Sequence, residues 1–113
     1  GEEVELFFSI FNLRINMNMY IYIIGNTESQ QKIGFAKNPE RRLKSLQTGN
    51  AQKLFLHHTV EVPEEKVKIL EKKIHHEINH KRIKGEWFDI SPDEAKLILD
   101  HAIIRWLDDT LLY

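Results

Sequence analysis

The sequence predicts an α+β domain: a small, mainly antiparallel three-stranded sheet flanked by helices, with an extra N-terminal segment and a C-terminal helix. Three observations carry this reading. Residues 19–24, 32–35 and 54–62 are short runs of strand type. Three further runs open on helix-start signals, Asn38-Pro39, Pro63-Glu64-Glu65 and Ser91-Pro92, and then keep apolar residues three and four apart. The connections between them are short and polar, and no repeat, low-complexity tract or linker divides the chain.

The length of 113 residues suits one domain, able to bury roughly 65% of the surface its unfolded chain exposes. With 42% hydrophobic and 29% charged residues, the composition is ordinary for a soluble globular protein and suggests neither disorder nor a membrane span. Cysteine is absent, so no disulfide framework exists, which suits a reducing compartment.

Residues 1–18 form an apolar segment in which Val4, Leu6, Phe7, Phe8, Ile10, Phe11, Leu13 and Ile15 crowd together. Their pattern does not choose between strand and helix. The segment is expected to pack on the domain or on a second copy, giving a homodimer. Gly1 reads as a cleavage scar from an expression tag, with Met17 and Met19 as alternative starts. Three glutamates precede the apolar run where a signal peptide would carry bases, so the expectation is a cytoplasmic protein without membrane contact.

The domain proper is assigned to residues 19–113. In the first strand Tyr20 and Tyr22 are two apart, so both phenols share one face, roughly 7 Å from each other, while Ile21 and Ile23 take the opposite face. A polar connection over residues 25–31 makes an antiparallel hairpin with the second strand, where Gly34 lets the backbone leave the sheet at an angle a side chain would forbid. Asn38 then caps a helix opened by Pro39, with Arg41 and Arg42 in its first turn and Leu43 and Leu46 toward the core. Gly49 and Asn50 end it. In the third strand Leu54, Leu56 and His58 are expected on one face, and Phe55, His57 and Thr59 on the other. The neighbouring histidines read as polar filler rather than as a metal site.

The second helix runs to about His80 with Val67, Leu70, Ile74 and Ile78 as its core stripe. Glu71 lies at the border of that stripe with His75 one turn on. Residues 81–84 read as a basic turn ending at Gly85, and the aromatics Trp87 and Phe88 that follow as core. Ser91, with Glu94 three residues later, reads as a capping box for a last helix whose stripe is Ala95, Ile98, Leu99, Ala102, Ile103 and Trp106. Its acids, Asp100, Asp108 and Asp109, suit the back of the sheet.

The ordered set Tyr20-Ile21-Tyr22, Lys32-Ile33-Gly34, Arg42 eight residues beyond Gly34, and Glu71 in a later helix resembles the signature of the GIY-YIG nuclease superfamily. A lysine opening the second tripeptide, and Gly85-Glu86-Trp87-Phe88 after the glutamate helix, are similar to a compact single-domain subfamily of phages and bacteria. The resemblance covers residues 19–90. It implies a metal-dependent endonuclease that hydrolyses DNA phosphodiester bonds with one divalent ion, Mg2+ or Mn2+, held by Glu71. It also implies that Arg42 stabilises the phosphate, with Tyr20 as the remaining aromatic hydroxyl beside Tyr22; Lys32, which departs from the tyrosine opening the family's second tripeptide, and His75 are read as further candidates from their own positions. Because larger relatives draw specificity from appended domains, weak selection is expected, for single-stranded or structured DNA.

Tyr22 is the candidate for activating water. A free phenol titrates near 10, leaving about one in a thousand ionised at neutral pH. Lys32 within about 4–6 Å would favour the phenolate; alternatively it is a solvated strand lysine. Glu71 is read as a metal ligand, or as half of a helical Glu–His contact. His75 would orient that carboxylate, touch phosphate or pack. No asparagine follows the second helix where some relatives carry one, and Glu86 stands in that vicinity with its role open.

The net charge of −1 is unevenly spread. Residues 31–58 sum to +5 and residues 66–86 to +4, against acidic remainders. Positive charge thus falls on the helices that carry the motif residues, a footprint for phosphate in which Lys37, Arg41, Arg42 and Lys44 are the candidate nucleic-acid contacts. The competing class is a non-catalytic nucleic-acid-binding module with the same fold.

Overall fold

The computed structural model describes residues 18–107. Of the apolar segment read in residues 1–18, residues 1–17, and with them its expected role in a dimer, lie outside the described residues, as do Asp108 and Asp109. The order is β1 (Met19–Gly25), β2 (Gln30–Ala36), α1 (Pro39–Gln47), β3 (Phe55–Val62), α2 (Val67–Glu77), β4 (Arg82–Lys84), β5 (Trp87–Asp89) and α3 (Pro92–Ala102). A single 3-10 turn, Asn79–Lys81, precedes β4, and a π-helical turn, Ile103–Leu107, follows α3.

The α+β class is as the sequence predicts, and the sheet is larger than expected. It has five strands in the order β3-β1-β2-β5-β4, all antiparallel. The two additional strands come from the stretch read as a basic turn and from the aromatic run after it. Each is three residues long, too short to display a two-residue period. They turn about Gly85, whose φ of 57° is left-handed.

The sheet separates two apolar clusters. On one face Ile21, Ile23 and Ile33, all fully buried, meet Val67, Leu70 and Ile74 of α2, Ala95, Leu99 and Ala102 of α3, and Phe88. The opposite cluster is smaller: Tyr22, Ile24 and Leu54 pack under Leu43 and Leu46 of α1, with Leu56 and Trp87. The sheet therefore has α1 over the tyrosine face and α2 with α3 over the isoleucine face.

Local signals place the helices. The Asn38 side chain accepts from the Arg41 amide at 3.0 Å and Pro39 occupies the first turn of α1. Ser91 accepts from the Glu94 amide at 3.1 Å, but the Glu94 carboxylate turns to Lys81 at 3.2 Å, so only half of the expected capping box forms. α2 begins at Val67 after a turn closed by Lys66 N–H to the Pro63 carbonyl, later than Pro63 suggests.

One strand reading is corrected. The pairing of β1 with β3 shifts between Ile23 and Ile24, so that Ile23 faces His58 and Ile24 faces Leu56. The extra residue, His57, makes a bulge, and a bulge reverses the alternation beyond it. Leu56 therefore stays with the Tyr22 cluster, while His58 joins the other face and bonds Asp100 of α3 at 2.7 Å. His57 bonds the Asn26 carbonyl at 2.7 Å. The histidine neighbours thus have separate partners. Among the described residues, no helix is long and apolar enough to cross a membrane.

Candidate active site

Tyr22 sits at the middle of β1 directly across from Gly34 of β2. It is 1% exposed, and its hydroxyl makes no hydrogen bond with any described residue. A Cβ on Gly34 would stand 2.6 Å from the Tyr22 Oη, 2.8 Å from its Cζ and 3.1 Å from Glu86 Oε2. Glycine is therefore required here for space rather than for backbone freedom. The missing side chain leaves the phenol oxygen and a carboxylate oxygen facing one small volume. Gly34→Ala is expected to force the buried ring out of place, at a cost of about 1–3 kcal/mol in urea unfolding, and Tyr22→Phe in the same chain should recover part of the loss.

Glu86 enters this space because β5 pairs with β2 only over Gln30–Lys32, and the Ile33 amide then bonds the Glu86 carbonyl at 3.1 Å. Lys32 shares the face of Tyr22 and reaches Glu86 Oε2 at 3.0 Å, with its ammonium 5.9 Å from the Trp87 ring centre. The expected pairing of Lys32 with the phenol is therefore corrected: its charge is held by Glu86.

Glu71 belongs to α2 on the other side of the sheet. It is 8% exposed, and its carboxylate has no hydrogen bond or ion pair with any described residue. Beyond Lys32 the outer edge of β2 runs past the end of β5, and there Glu71 comes within electrostatic reach of Lys32, Glu86 and Tyr22. His75, one turn on, makes no hydrogen bond to Glu71. Its Nε2 lies 2.7 Å from the Ile33 carbonyl, and its ring packs 5.2 Å from that of Phe88. A carbonyl only accepts, so Nε2 carries the proton. His75 pins α2 to β2, and of the three roles open for it, packing is the one observed.

Electrostatics follow from burial. Burial pushes the Tyr22 phenol up to about 12; Arg42 pulls it down, while Glu86 and Glu71 add to the rise. The expectation of a readily ionised Tyr22 is thereby overturned for the metal-free protein, because desolvation of the phenolate outweighs the nearby cation. Burial, then Glu86, pushes Glu71 up to about 7 against the pull of Lys32. Burial also lowers His75, against its backbone hydrogen bond.

A carboxyl that titrates at about 7 when folded and near 4.5 when unfolded holds its proton more tightly in the native state. Its contribution to stability is full below the unfolded value and is lost as pH rises to 7. His75 has the opposite sign, since a lowered imidazole value costs stability as pH falls below 6.5. The difference between the protein and Glu71→Gln isolates the carboxyl. In chelator, the melting temperature of the protein should fall relative to that of the variant between pH 4.5 and 7.

The arginines form the rim. Arg42 is exposed, as is Arg41, and with Lys37 they line a groove bounded by Met19, Phe35 and Ser45. Tyr20 is half-buried and opens on an adjoining groove with Lys37, Asn38 and Thr59. Lys44 stands apart, beside Lys53 in a third depression. Of the four basic residues singled out, three therefore share one surface.

The donor set can be judged against a divalent ion. Among the described residues no group of three or more histidines or acids is placed to hold a metal. Once ionised, Glu71 would offer a hard, acceptor-only oxygen donor that bonds to no described residue, and Glu86 puts a second carboxylate in the same field. Ions such as Mg2+ are held by one or two carboxylates where phosphate and water complete the octahedron. The residues fit that mode. Glu86 is the member that sequence reasoning left without a role; its place in the vicinity where some relatives carry an asparagine was the signal the sequence offered.

A family model described as the T5orf172 domain matches residues 19–105, well over half of the chain. No curated protein and no solved structure matches it.

Proposed function

The chain belongs to the T5orf172 domain family, and from that premise we propose that it is a metal-dependent DNA endonuclease of GIY-YIG type. The family is phage-associated and of the endonuclease-related group, which supports a nuclease-like or DNA-binding module. The observation that carries the finer reading is Glu71, a largely buried residue whose carboxylate bonds to no described residue, within electrostatic reach of the Tyr22 phenol, with Arg42 at the rim.

Phosphodiester hydrolysis needs a nucleophilic water, neutralisation of phosphoryl charge and departure of an alkoxide. Glu71 would hold Mg2+ or Mn2+, which supplies Lewis-acid polarisation of the phosphate and a more acidic water. Arg42 offers a planar pair of donors to the phosphate oxygens. Tyr22 activates the attacking water, its phenol oxygen accepting a hydrogen bond from it. At a value of about 12 the phenolate is a strong base present in a minute fraction at neutral pH, so cleavage is expected to accelerate with pH through the neutral range. Lys37 and Arg41 extend the phosphate track away from the chemistry.

A second reading has its own support. Lys32 stands where the superfamily signature carries a tyrosine, and its salt bridge to Glu86 is an ordinary way to close a binding surface. A non-catalytic DNA-binding module would keep the groove and discard the chemistry. The test is incubation of the protein with labelled single-stranded, branched and duplex DNA in Mg2+, Mn2+ or chelator. Metal-dependent product supports the endonuclease, and retention of DNA without cutting under every condition replaces it with the binding module.

A further inference from the structure

We infer that Glu86 is the second carboxylate of the divalent-cation site, and that the Lys32 ammonium is the cation it holds in the metal-free protein. The inference rests on the nuclease reading for the presence of a divalent ion and goes beyond it in assigning Glu86 and Lys32.

Four observations meet at this point. Glu71 is 8% exposed as a residue, its carboxylate makes no hydrogen bond or ion pair with any described residue, and Glu86 and Lys32 lie within its electrostatic reach. The backbone bond from the Ile33 amide to the Glu86 carbonyl, 3.1 Å, anchors Glu86 against β2 where its partner strand ends. Glu86 Oε2 and the Tyr22 Oη both face the volume that Gly34 leaves clear. Finally, Lys32 Nζ at 3.0 Å shows that the field there already selects a cation.

The exposures of the partners agree with exchange of that cation. The Lys32 side chain is 14% exposed and that of Glu86 40%, so the carboxylate has access to solvent while the lysine is mostly packed against the sheet. An ion pair so placed contributes little to folding. Two carboxylates with only one ammonium between them leave an excess negative charge, and a hard divalent ion with bound water satisfies it better than one lysine. Glu86 is then a ligand, and Lys32 a positioning residue that sets the affinity for the metal.

The experiment is a Mn2+ titration of chelator-stripped protein, followed by the electron paramagnetic resonance signal of free Mn2+ at about pH 8. The set compares the protein with Glu71→Gln, Glu86→Gln, Lys32→Met and Lys32→Met/Glu86→Gln, each checked for folding by thermal melting. A second folded variant, Glu86→Asp, keeps the charge. Glu86→Gln should weaken Mn2+ binding by about 10-fold or more, Glu86→Asp by less, and Lys32→Met should strengthen it. The double variant separates coordination from simple charge. If Glu86 is a ligand, the double variant binds as weakly as Glu86→Gln. If Glu86 acts only as half of a neutral pair, removing both partners restores the original affinity and the inference is overturned. Unchanged binding in Glu86→Gln beside lost binding in Glu71→Gln overturns the inference alone. Equal Mn2+ uptake with and without Glu71 overturns the metal role of Glu71, and with it both readings.

Discussion

Glu71→Gln is expected to lose DNA cleavage by about 10²-fold or more while making the metal-free protein more stable at neutral pH. Both halves follow from one arrangement. Glu71 is a largely buried residue whose carboxylate has no hydrogen-bond or ion-pair partner among the described residues, and its charge is opposed by burial and by Glu86. Removing that charge relieves a penalty of up to about 3 kcal/mol, at about 1.4 kcal/mol per pKa unit. A residue kept for folding would show the reverse, since its loss would lower the melting temperature. Cleavage assays in Mg2+ and thermal melts in chelator read the two effects separately. A variant that cuts normally, or one that is both inactive and less stable, sinks the assignment of Glu71 as a functional ligand. Raised stability with lost activity is the usual relation at a site whose charges are held against their own solvation.

The second large effect is expected for Tyr22→Phe, a decrease in cleavage rate of about 10²–10⁴-fold with little change in stability. The ring fills the cluster beneath α1 with Ile24 and Leu54, and phenylalanine keeps that packing. The hydroxyl bonds to no described residue, so its removal strands no donor or acceptor of the protein. Rate is therefore separated from folding in a way that alanine would not allow. Urea unfolding should place the variant within about 1 kcal/mol of the parent. If DNA is cut at the parent rate, the water is activated by something else, and Tyr22 reduces to a core residue. If the decrease appears but vanishes at high pH, hydroxide from solvent replaces Tyr22 and the phenolate is not the base, since a phenol at about 12 gains ionised fraction as pH rises.

Much of the framework was legible because it is written in local periods. Alternation placed Ile21 and Ile23 opposite Tyr20 and Tyr22, and Asn38-Pro39 and Ser91-Pro92 marked helix starts that the backbone obeys. The stripe Ala95, Leu99, Ala102 buries as its spacing requires. Misreadings arose where a period was too short or was interrupted. Arg82–Lys84 and Trp87–Asp89 are three residues each, and their strand pairing is supplied by β2 rather than by their own sequence. The bulge at His57 is invisible in a run that alternates evenly, and it sends His58 to Asp100 on the opposite face. The site divides in the same way. Gly34 opposite Tyr22 could be reached by counting along a hairpin, whereas the claim that Lys32 would ionise Tyr22 required knowing which carboxylate competed for it.

By itself the sequence determined which residues share a face: the two tyrosines, the isoleucines behind them, the apolar stripes of three helices and the basic residues at the start of α1. These depend on the fixed geometry of strands and helices, which any chain inherits from its backbone. Tertiary structure alone decided what each charged group meets. It brought Glu71 from a helix on one face to the edge of β2, whose neighbour β1 turns Tyr22 to the other face, turned His75 to a backbone carbonyl, and gave Lys32 to Glu86. It also decided the sign of the perturbation at Tyr22, because the cost of burying a phenolate depends on everything packed around it and not on the residue two places away.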